Sequence, residues 1–174
     1  MFLLGLGSNL SSSLGDRFEN LDLATSYLET YKIKIIKRSS FYETLSYPDI
    51  KNPKFINIAV EISTYLSPED LASVLIFIEE KLERKRKKKN EPRTCDIDII
   101  DYEGKVINFS YKSLIFKVPH EKLIYRNFVL FPLQEIAPNW IHPKTKDSID
   151  VLINKLSNED KKSILKIKKS WYNI

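Results

Sequence analysis

Acidic and basic side chains that could bind a phosphorylated ligand are concentrated in the middle of the chain. The stretch Cys-Asp-Ile-Asp-Ile-Ile alternates acidic and apolar residues, so as a β-strand it places Asp96 and Asp98 on one face. Two such carboxylates are about 6.5–7 Å apart along a strand, which suits the shared binding of hard cations. Arg84, Arg86 and Arg93 precede them and could bind an anionic ligand from the opposite side. This pattern favours a site for a polyphosphate bound with Mg²⁺.

Both halves of this pattern also have simpler interpretations. Two aspartates two residues apart can be the solvated face of an edge strand, and a basic run such as 84–89 can be the solvated end of a helix. The segment 81–93 holds eight of the 28 basic residues and two of the 23 acidic ones. Because the rest of the chain is nearly neutral, the net charge of +5 is local, which favours a compact anionic ligand over a long nucleic acid.

Length and composition indicate one ordinary globular domain. A chain of 174 residues with 43% hydrophobic and 29% charged residues can build a proper core. Its one cysteine, Cys95, excludes an internal disulfide and a cysteine-based zinc site. The first residues lack the basic region of a signal peptide, and no apolar stretch reaches the roughly 20 residues of a membrane span. We therefore expect a cytoplasmic protein without a membrane partner.

The elements that must position these residues follow the order β-α-β-β-α-β. They are a strand at 2–6, a helix from Asp16, strands at 32–44 and 55–65, a helix from Ser67, and the strand with the two aspartates. This order is typical of a ferredoxin-like α+β sandwich, with an antiparallel sheet, two helices on one face and the other face free for a site. Beyond it we expect a helix at 147–156 and a strand or helix at 164–167.

Three smaller features bear on ligand binding. Asn57 lies in an apolar strand beside Phe55, where its carboxamide could bind the edge of a heterocycle or only pair with a loop backbone. The loop 45–53, with two prolines, is either a binding loop or an irregular connection. The sequence Gly-Leu-Gly at 5–7 is expected to be a tight exit from the first strand, and His142 a surface residue.

Four motifs in this order resemble the 6-hydroxymethyl-7,8-dihydropterin pyrophosphokinase family of the folate pathway. They are GLGSNL near the start, FYET with Asn57 thirteen residues later, PRT running into DID, and VPH followed by RxFVL and PLxEIAP. The likeness covers residues 1–143, so residues 144–174 would be a C-terminal extension of the same single domain. The resemblance implies a ferredoxin-like fold and a monomer. It also implies transfer of the β,γ-diphosphate of ATP to the pterin hydroxymethyl group, giving AMP.

The resemblance also implies roles for particular residues. Asp96 and Asp98 would hold two Mg²⁺ ions, and Arg84 and Arg93 would be the catalytic contacts to the transferring phosphates. Further contacts to ATP would come from Arg86, Ile99, Lys117, His120 and Arg126. The pterin would be bound by Thr44, Leu45, Tyr47, Phe55, Asn57 and Phe128.

The sequence departs from the family pattern around the nucleotide. Asn90 stands where members carry a tryptophan in a lid loop, and the segment 86–92 is one residue shorter. Ile76 and Ile115 stand where a glutamine and an arginine are common. These departures predict activity with an altered affinity for ATP.

Two other classes of function also suit a ferredoxin-like sheet. An RNA-binding module uses the same plan, but the chain lacks the aromatic signature of such modules, and two acids on the binding strand would repel a phosphate backbone. A domain that binds a small ligand without converting it would need a pocket but not the aspartates with their arginines. Formation of AMP from ATP and the pterin distinguishes all three.

Overall fold

The aspartate-bearing strand lies at one edge of an antiparallel sheet in the computed structural model, which describes residues 1–86 and 91–167. The lid-loop position Asn90 falls outside the described residues. The strands are β1 (Phe2–Ser8), β2 (Lys34–Arg38), β3 (Phe41–Thr44), β4 (Phe55–Ser63), β5 (Asp96–Tyr102), β6 (Ile107–Tyr111), β7 (Leu114–Val118) and β8 (Ile164–Ile167). The helices are α1 (Arg17–Thr30), α2 (Pro68–Lys81), α3 (Asn127–Ile136), α4 (Ile149–Lys155) and α5 (Asn158–Lys162), with a 3₁₀ turn at Leu123–Tyr125.

The main sheet runs in the order β5-β1-β4-β3-β8, with β2 also paired to β4. All of its pairings are antiparallel, which confirms the predicted α+β class. The prediction of a single strand at 32–44 is wrong, because this segment is divided into β2 and β3. At the break, Ser39 Oγ accepts a hydrogen bond from the Ala59 amide at 2.9 Å. A side chain therefore takes the place of a backbone partner at this point in the ladder.

Helices α1 and α2 begin where their capping residues predict. The Asp16 side chain accepts hydrogen bonds from the amides of Phe18 and Glu19. In turn, the Glu19 side chain accepts a hydrogen bond from the Asp16 amide at 2.7 Å. Ser67 caps α2 by accepting from the Asp70 amide. Both helices pack on one face of the sheet. The main core that they form includes Leu21, Leu28, Leu71, Leu75 and Ile78 against Leu4, Leu6, Ile58, Ile97 and Ile99.

Other helices cover part of the opposite face, so the prediction that this face is free is wrong. A second apolar cluster joins the sheet residues Leu3, Ala59 and Ile100 to residues of α3 and α4, including Leu130, Leu133, Ile149 and Leu152. These sheet residues point away from α1 and α2, and helices formed later in the chain bury them. What remains open is the end of the face where β1 ends and β5 begins.

The C-terminal segment belongs to the same packed structure. The predicted helix at 147–156 is confirmed as α4, and the segment 164–167 is strand β8, which pairs with β3. The surface position expected for His142 is wrong. Its ring is buried, and Nδ1 accepts hydrogen bonds from the amides of Lys144 and Thr145 in a turn. In the part of the chain that the structure describes, no helix combines the length and apolar character that crossing a membrane requires.

Candidate active site

Three neighbouring strands place the central candidate residues in one row. In the sheet register, Gly7 of β1 lies opposite Asp96 of β5 on one side and opposite Asn57 of β4 on the other. Directly opposed residues point to the same face, so the Asp96 carboxylate and the Asn57 carboxamide share a face across a glycine. Strands are about 4.8 Å apart, which separates the two backbones by roughly 10 Å.

Glycines in β1 let neighbouring side chains pack closely over this strand. Gly5 lies opposite Asp98 in the same way that Gly7 lies opposite Asp96. A Cβ added to Gly7 would meet Asn57 Oδ1 at 3.1 Å and Phe55 Cδ1 at 3.5 Å. The expected tight exit at Gly-Leu-Gly is therefore wrong. The strand continues through both glycines to Ser8. The Ile100 side chain packs over Gly5, and the Asn57 carboxamide packs over Gly7.

Two predicted arginines converge on the first aspartate. Arg84 Nη1 forms an ion pair with Asp96 Oδ1, and Arg93 Nη2 lies 2.8 Å from Asp96 Oδ2. Arg126 reaches the second aspartate, with Nη1 3.7 Å from Asp98 Oδ2. Of the three arginines inferred from spacing, Arg84 and Arg93 thus lie on Asp96, whereas Arg86 pairs with another acid. Arg126, a candidate from the resemblance, lies beside Asp98.

The site contains a buried acid that the sequence analysis missed. Glu79 is 2% exposed; its Oε1 accepts hydrogen bonds from Arg84 Nη1 at 2.5 Å and from the Ile97 amide at 2.8 Å, and its Oε2 pairs with Arg86. A signal for it was available. Glu79 lies four residues after Leu75 and so occupies the apolar stripe of α2, where a carboxylate needs a partner.

Charges in this cluster shift one another's protonation. Burial alone would raise the pKa of Asp96, but Arg84 and then Arg93 outweigh it, and the pKa is lowered. Partial removal of its carboxylate from water raises the pKa of Asp98 to about 6, and the negative charge of Asp96 adds to the rise. Burial likewise raises the pKa of Glu79 to about 7 against the opposing charge of Arg84. A cation placed between the two aspartates would relieve their repulsion.

The residues expected to bind the pterin edge are already joined to one another. Asn57 Nδ2 donates to Thr44 Oγ1 at 3.0 Å and to the Tyr42 carbonyl at 3.4 Å, and both Asn57 and Thr44 are buried. These bonds orient the carboxamide with Oδ1 over Gly7. In the adjoining loop, Leu45 and Tyr47 are exposed, Tyr47 by 86%. The structure therefore brings Thr44 and Asn57 together and leaves these two loop side chains in solvent.

An arginine lies against each of the two phenylalanines expected to bind the pterin. The Arg93 guanidinium is 5.1 Å from the Phe55 ring centre, and the Arg126 guanidinium is 5.5 Å from that of Phe128. Phe128 lies in the first turn of α3, directly after Arg126 and Asn127. The aromatic candidates are thus in contact with the basic ones, which places flat apolar surface beside positive charge.

The remaining nucleotide candidates are more scattered. The Ile99 side chain is buried in the main core, so a contact to adenine would have to come from its backbone on the edge strand β5. Lys117, on β7, has its ammonium 2.5 Å from Glu121. His120 is half-buried and accepts from the Lys122 amide at 3.0 Å; burial and then the charge of Arg126 lower its pKa. His120 therefore lies near Arg126 in a neutral form suited to hydrogen bonding.

Two buried polar atoms of this region have no hydrogen-bond partner among residues 1–86 and 91–167. They are Arg93 Nε and Thr94 Oγ1. A buried guanidinium N–H without an acceptor is costly, so a ligand oxygen at this position would remove a penalty.

Comparison with known proteins identifies the family of the chain. The family model described as 7,8-dihydro-6-hydroxymethylpterin-pyrophosphokinase (HPPK) matches residues 3–138. The chain belongs to the HPPK family. A relative from Methylorubrum extorquens, named 2-amino-4-hydroxy-6-hydroxymethyldihydropteridine pyrophosphokinase, is 40% identical over 139 residues, covering 79% of this chain and 83% of the relative.

Other similar proteins are much longer than this HPPK chain. The folic acid synthesis protein fol1 of Pneumocystis carinii is 35% identical over 157 residues, which are 90% of this chain and 21% of that protein. A crystal structure of Plasmodium falciparum HPPK-DHPS superimposes with a TM-score of 0.70 at 18% identity, covering 88% of this chain and 44% of that one. The structural likeness shows that the fold is shared.

Proposed function

We propose that the chain transfers diphosphate from ATP to 6-hydroxymethyl-7,8-dihydropterin, giving the pterin diphosphate and AMP, a step of folate biosynthesis. The observation that carries the proposal is the row of Asp96, Gly7 and Asn57 across three strands, with Arg84 and Arg93 on the aspartate. The aspartate with its arginines and the carboxamide lie on one face with a glycine between them, which supports binding of a phosphate chain beside a heterocycle.

Two Mg²⁺ ions fit the residues that are present. Asp96 and Asp98 share a face of β5, and the negative charge of Asp96 raises the pKa of Asp98. Within the described part of the chain, no three acidic, histidine or cysteine side chains are grouped closely enough to form a metal site by themselves. Mg²⁺ is commonly bound by one or two carboxylates together with phosphate oxygens, so these two aspartates are sufficient when ATP supplies the rest. The bound ions would neutralise phosphate charge and acidify the attacking hydroxyl.

The chain's own residues would act mainly by positioning charge. Arg84 and Arg93 would exchange Asp96 for the phosphates of ATP, and the unpaired Arg93 Nε would gain an acceptor. Diphosphate transfer needs little covalent help from a protein, since orientation and neutralisation lower the barrier. This agrees with a site that holds arginines and carboxylates rather than a nucleophile with a base.

The pterin would lie over Gly7 between the rings of Phe55 and Phe128. Asn57, already oriented by Thr44, would bind the polar edge of the heterocycle, and backbone groups near Leu45 and Tyr47 would complete the contact. The hydroxymethyl group would then point along the row towards Asp96.

The nucleotide would occupy the outer edge of β5. Arg86 would guide the phosphates from its position on Glu79, and His120 and Arg126 would bind phosphate or ribose. The Ile99 backbone and Lys117 would lie beside the adenine.

We further propose that residues 1–174 form a single domain of the ferredoxin-like type, with residues after 143 as an extension to it. The element order from β1 to β5 and the strand order β5-β1-β4-β2 support this arrangement, and β8 ties the extension to the same sheet. A monomeric state, a cytoplasmic location and the absence of nucleic-acid binding stay predictions from the sequence.

Measurement of AMP formation tests the proposed function. With ATP, Mg²⁺ and the hydroxymethyl pterin, the protein should release AMP, and Asp98→Asn should reduce the rate by at least a hundredfold. Asp150→Asn, an exposed aspartate on α4, is the matched control and should keep the rate. No AMP from the unaltered protein at high concentration would refute the proposal and favour a domain that binds without converting its ligand. Tight binding of RNA by the protein, despite Asp96 and Asp98 on the sheet face, would instead support an RNA-binding module.

A further inference from the structure

One buried asparagine connects the two halves of the site. Asn9, 2% exposed, lies just after β1. Its Nδ2 donates to Ser46 Oγ at 3.2 Å and to the Pro53 carbonyl at 3.0 Å. Its Oδ1 accepts from the Arg93 amide at 2.7 Å. A single side chain thus holds the loop 45–53 and the segment that carries Arg93.

The backbone around Asn9 strengthens the same connection. The amides of Asn9 and Leu10 both donate to the Arg93 carbonyl, at 3.0 and 3.1 Å. On the loop, Ser46 Oγ also donates to the Pro53 carbonyl at 2.6 Å, which ties the two ends of the loop together where Asn9 binds them. The contacts therefore fix the base of the loop and the position of Arg93 relative to each other.

The chemistry of an amide suits this position. The two ends of the loop present acceptors, Ser46 Oγ and the Pro53 carbonyl, while the other segment presents the Arg93 N–H donor. A carboxamide can donate two hydrogen bonds and accept one at the same time, whereas a carboxylate can only accept and an apolar side chain can do neither. Burial makes each of these bonds matter, because an abandoned partner would lack water.

We propose that Asn9 is a positioning residue that couples nucleotide binding to pterin binding. The proposal rests on the proposed function, in which Arg93 contacts phosphates and the loop 45–53 contacts the pterin. A nucleotide that fixes Arg93 also fixes Asn9, and through it the base of the loop. A loop whose base is held in this way loses less freedom when the pterin binds, so the pterin binds more tightly. The same coupling acts in reverse, since linkage between two ligands is reciprocal.

Affinities measured in pairs test this coupling. The dissociation constant of the hydroxymethyl pterin is measured by titration calorimetry, with and without Mg²⁺ and a non-hydrolysable ATP analogue. The ratio of the two constants is the coupling, which for linked sites is typically about fivefold or more. In Asn9→Ala we expect this ratio to fall to within about twofold of one, and the analogue's affinity ratio to fall by the same factor.

Two further variants separate coupling from damage to the fold. Asn20→Ala removes another buried asparagine, which lies in α1. Its side chain donates to the Leu10 carbonyl at 3.0 Å, and this partner belongs neither to the loop 45–53 nor to the segment that carries Arg93. It should leave the ratio unchanged. Ser46→Ala removes one partner of Asn9 and should lower the ratio in part, which keeps the proposal testable if Asn9→Ala does not fold.

Three results would overturn the inference. They are a ratio close to one in the unaltered protein, an unchanged ratio in Asn9→Ala or, failing that variant, in Ser46→Ala, and an equal fall in Asn20→Ala. Each of these can occur in a protein that still releases AMP. Failure of the coupling is therefore distinguishable from failure of the proposed function, which AMP release measures by itself.

Discussion

Glu79→Gln should make the protein more stable at neutral pH than the unaltered chain. The substitution keeps the size of the side chain and an oxygen that can accept from the Ile97 amide and Arg84, but it removes the negative charge. Glu79 is 2% exposed, and burial raises its pKa from 4.5 to about 7 even though Arg84 and Arg86 are adjacent. Ionisation of Glu79 therefore destabilises the folded state relative to the unfolded chain.

The size and the pH window of the effect follow from that pKa. In the unfolded chain Glu79 ionises near pH 4.5, and in the folded chain near pH 7, so between these values the folded state binds the extra proton. Because the folded pKa is raised, the contribution is full below pH 4.5 and is lost as the pH rises through about 7. The rise corresponds to about 3 kcal/mol, at roughly 1.4 kcal/mol for each tenfold change in proton affinity.

Urea unfolding followed by circular dichroism at several pH values provides the measurement. Near pH 4 the variant and the unaltered protein should have similar free energies of unfolding, since a protonated glutamate resembles glutamine. By pH 8 the difference should have grown by about 3 kcal/mol in favour of the variant. Glu80→Gln, which removes the exposed charge next along α2, shows what loss of a surface charge does. A difference that is the same at pH 4 and pH 8 would refute the reasoning.

Three other substitutions test separate parts of the structure. Gly7→Ala places a methyl group 3.1 Å from Asn57 Oδ1 and should raise the KM for the pterin about tenfold with little change in that for ATP; equal changes would contradict a pterin site at Asn57 above Gly7. Phe128→Ala should weaken pterin binding far more than ATP binding, as measured by calorimetry, and equal weakening would reject the aromatic sandwich. Asn127→Ala loses the 2.7 Å hydrogen bond to the Asp160 carbonyl and should lower the free energy of unfolding by about 1–3 kcal/mol. No change in urea unfolding would show that this bond between α3 and the C-terminal segment does not stabilise the fold.

Local patterns in the sequence predicted the elements that carry the site. Alternation along β5 placed the aspartates on one face, and the structure buries Ile97 and Ile99 on the other, under α1 and α2. Capping residues such as Ser67 located the helix starts, since a cap depends on neighbours a few residues away. These features are short-range, and a single sequence contains the information for them.

Features that depend on distant contacts could not be predicted in the same way. The break at Ser39 depends on its bond to Ala59, twenty residues later. The cover on the second face comes from α3 and α4, which find Leu3 and Ile100 only in the folded chain. The role of Gly7 depends on its position between β4 and β5, which no turn or helix rule indicates.

The resting contacts of the arginines imply that the two aspartates have different roles. Asp96 is paired with both Arg84 and Arg93 and its side chain is 22% exposed, whereas Asp98 is 46% exposed with Arg126 at 3.7 Å. Removing the Asp96 charge would leave two arginines without their carboxylate as well as removing a metal ligand. Removing the Asp98 charge would affect mainly the metal position.

Asp98→Asn is therefore the cleaner probe of catalysis, and Asp96→Asn should in addition change the affinity for nucleotide measured without Mg²⁺. If both variants bind the metal-free nucleotide as the unaltered protein does, Asp96 is not the resting partner of the phosphate-binding arginines.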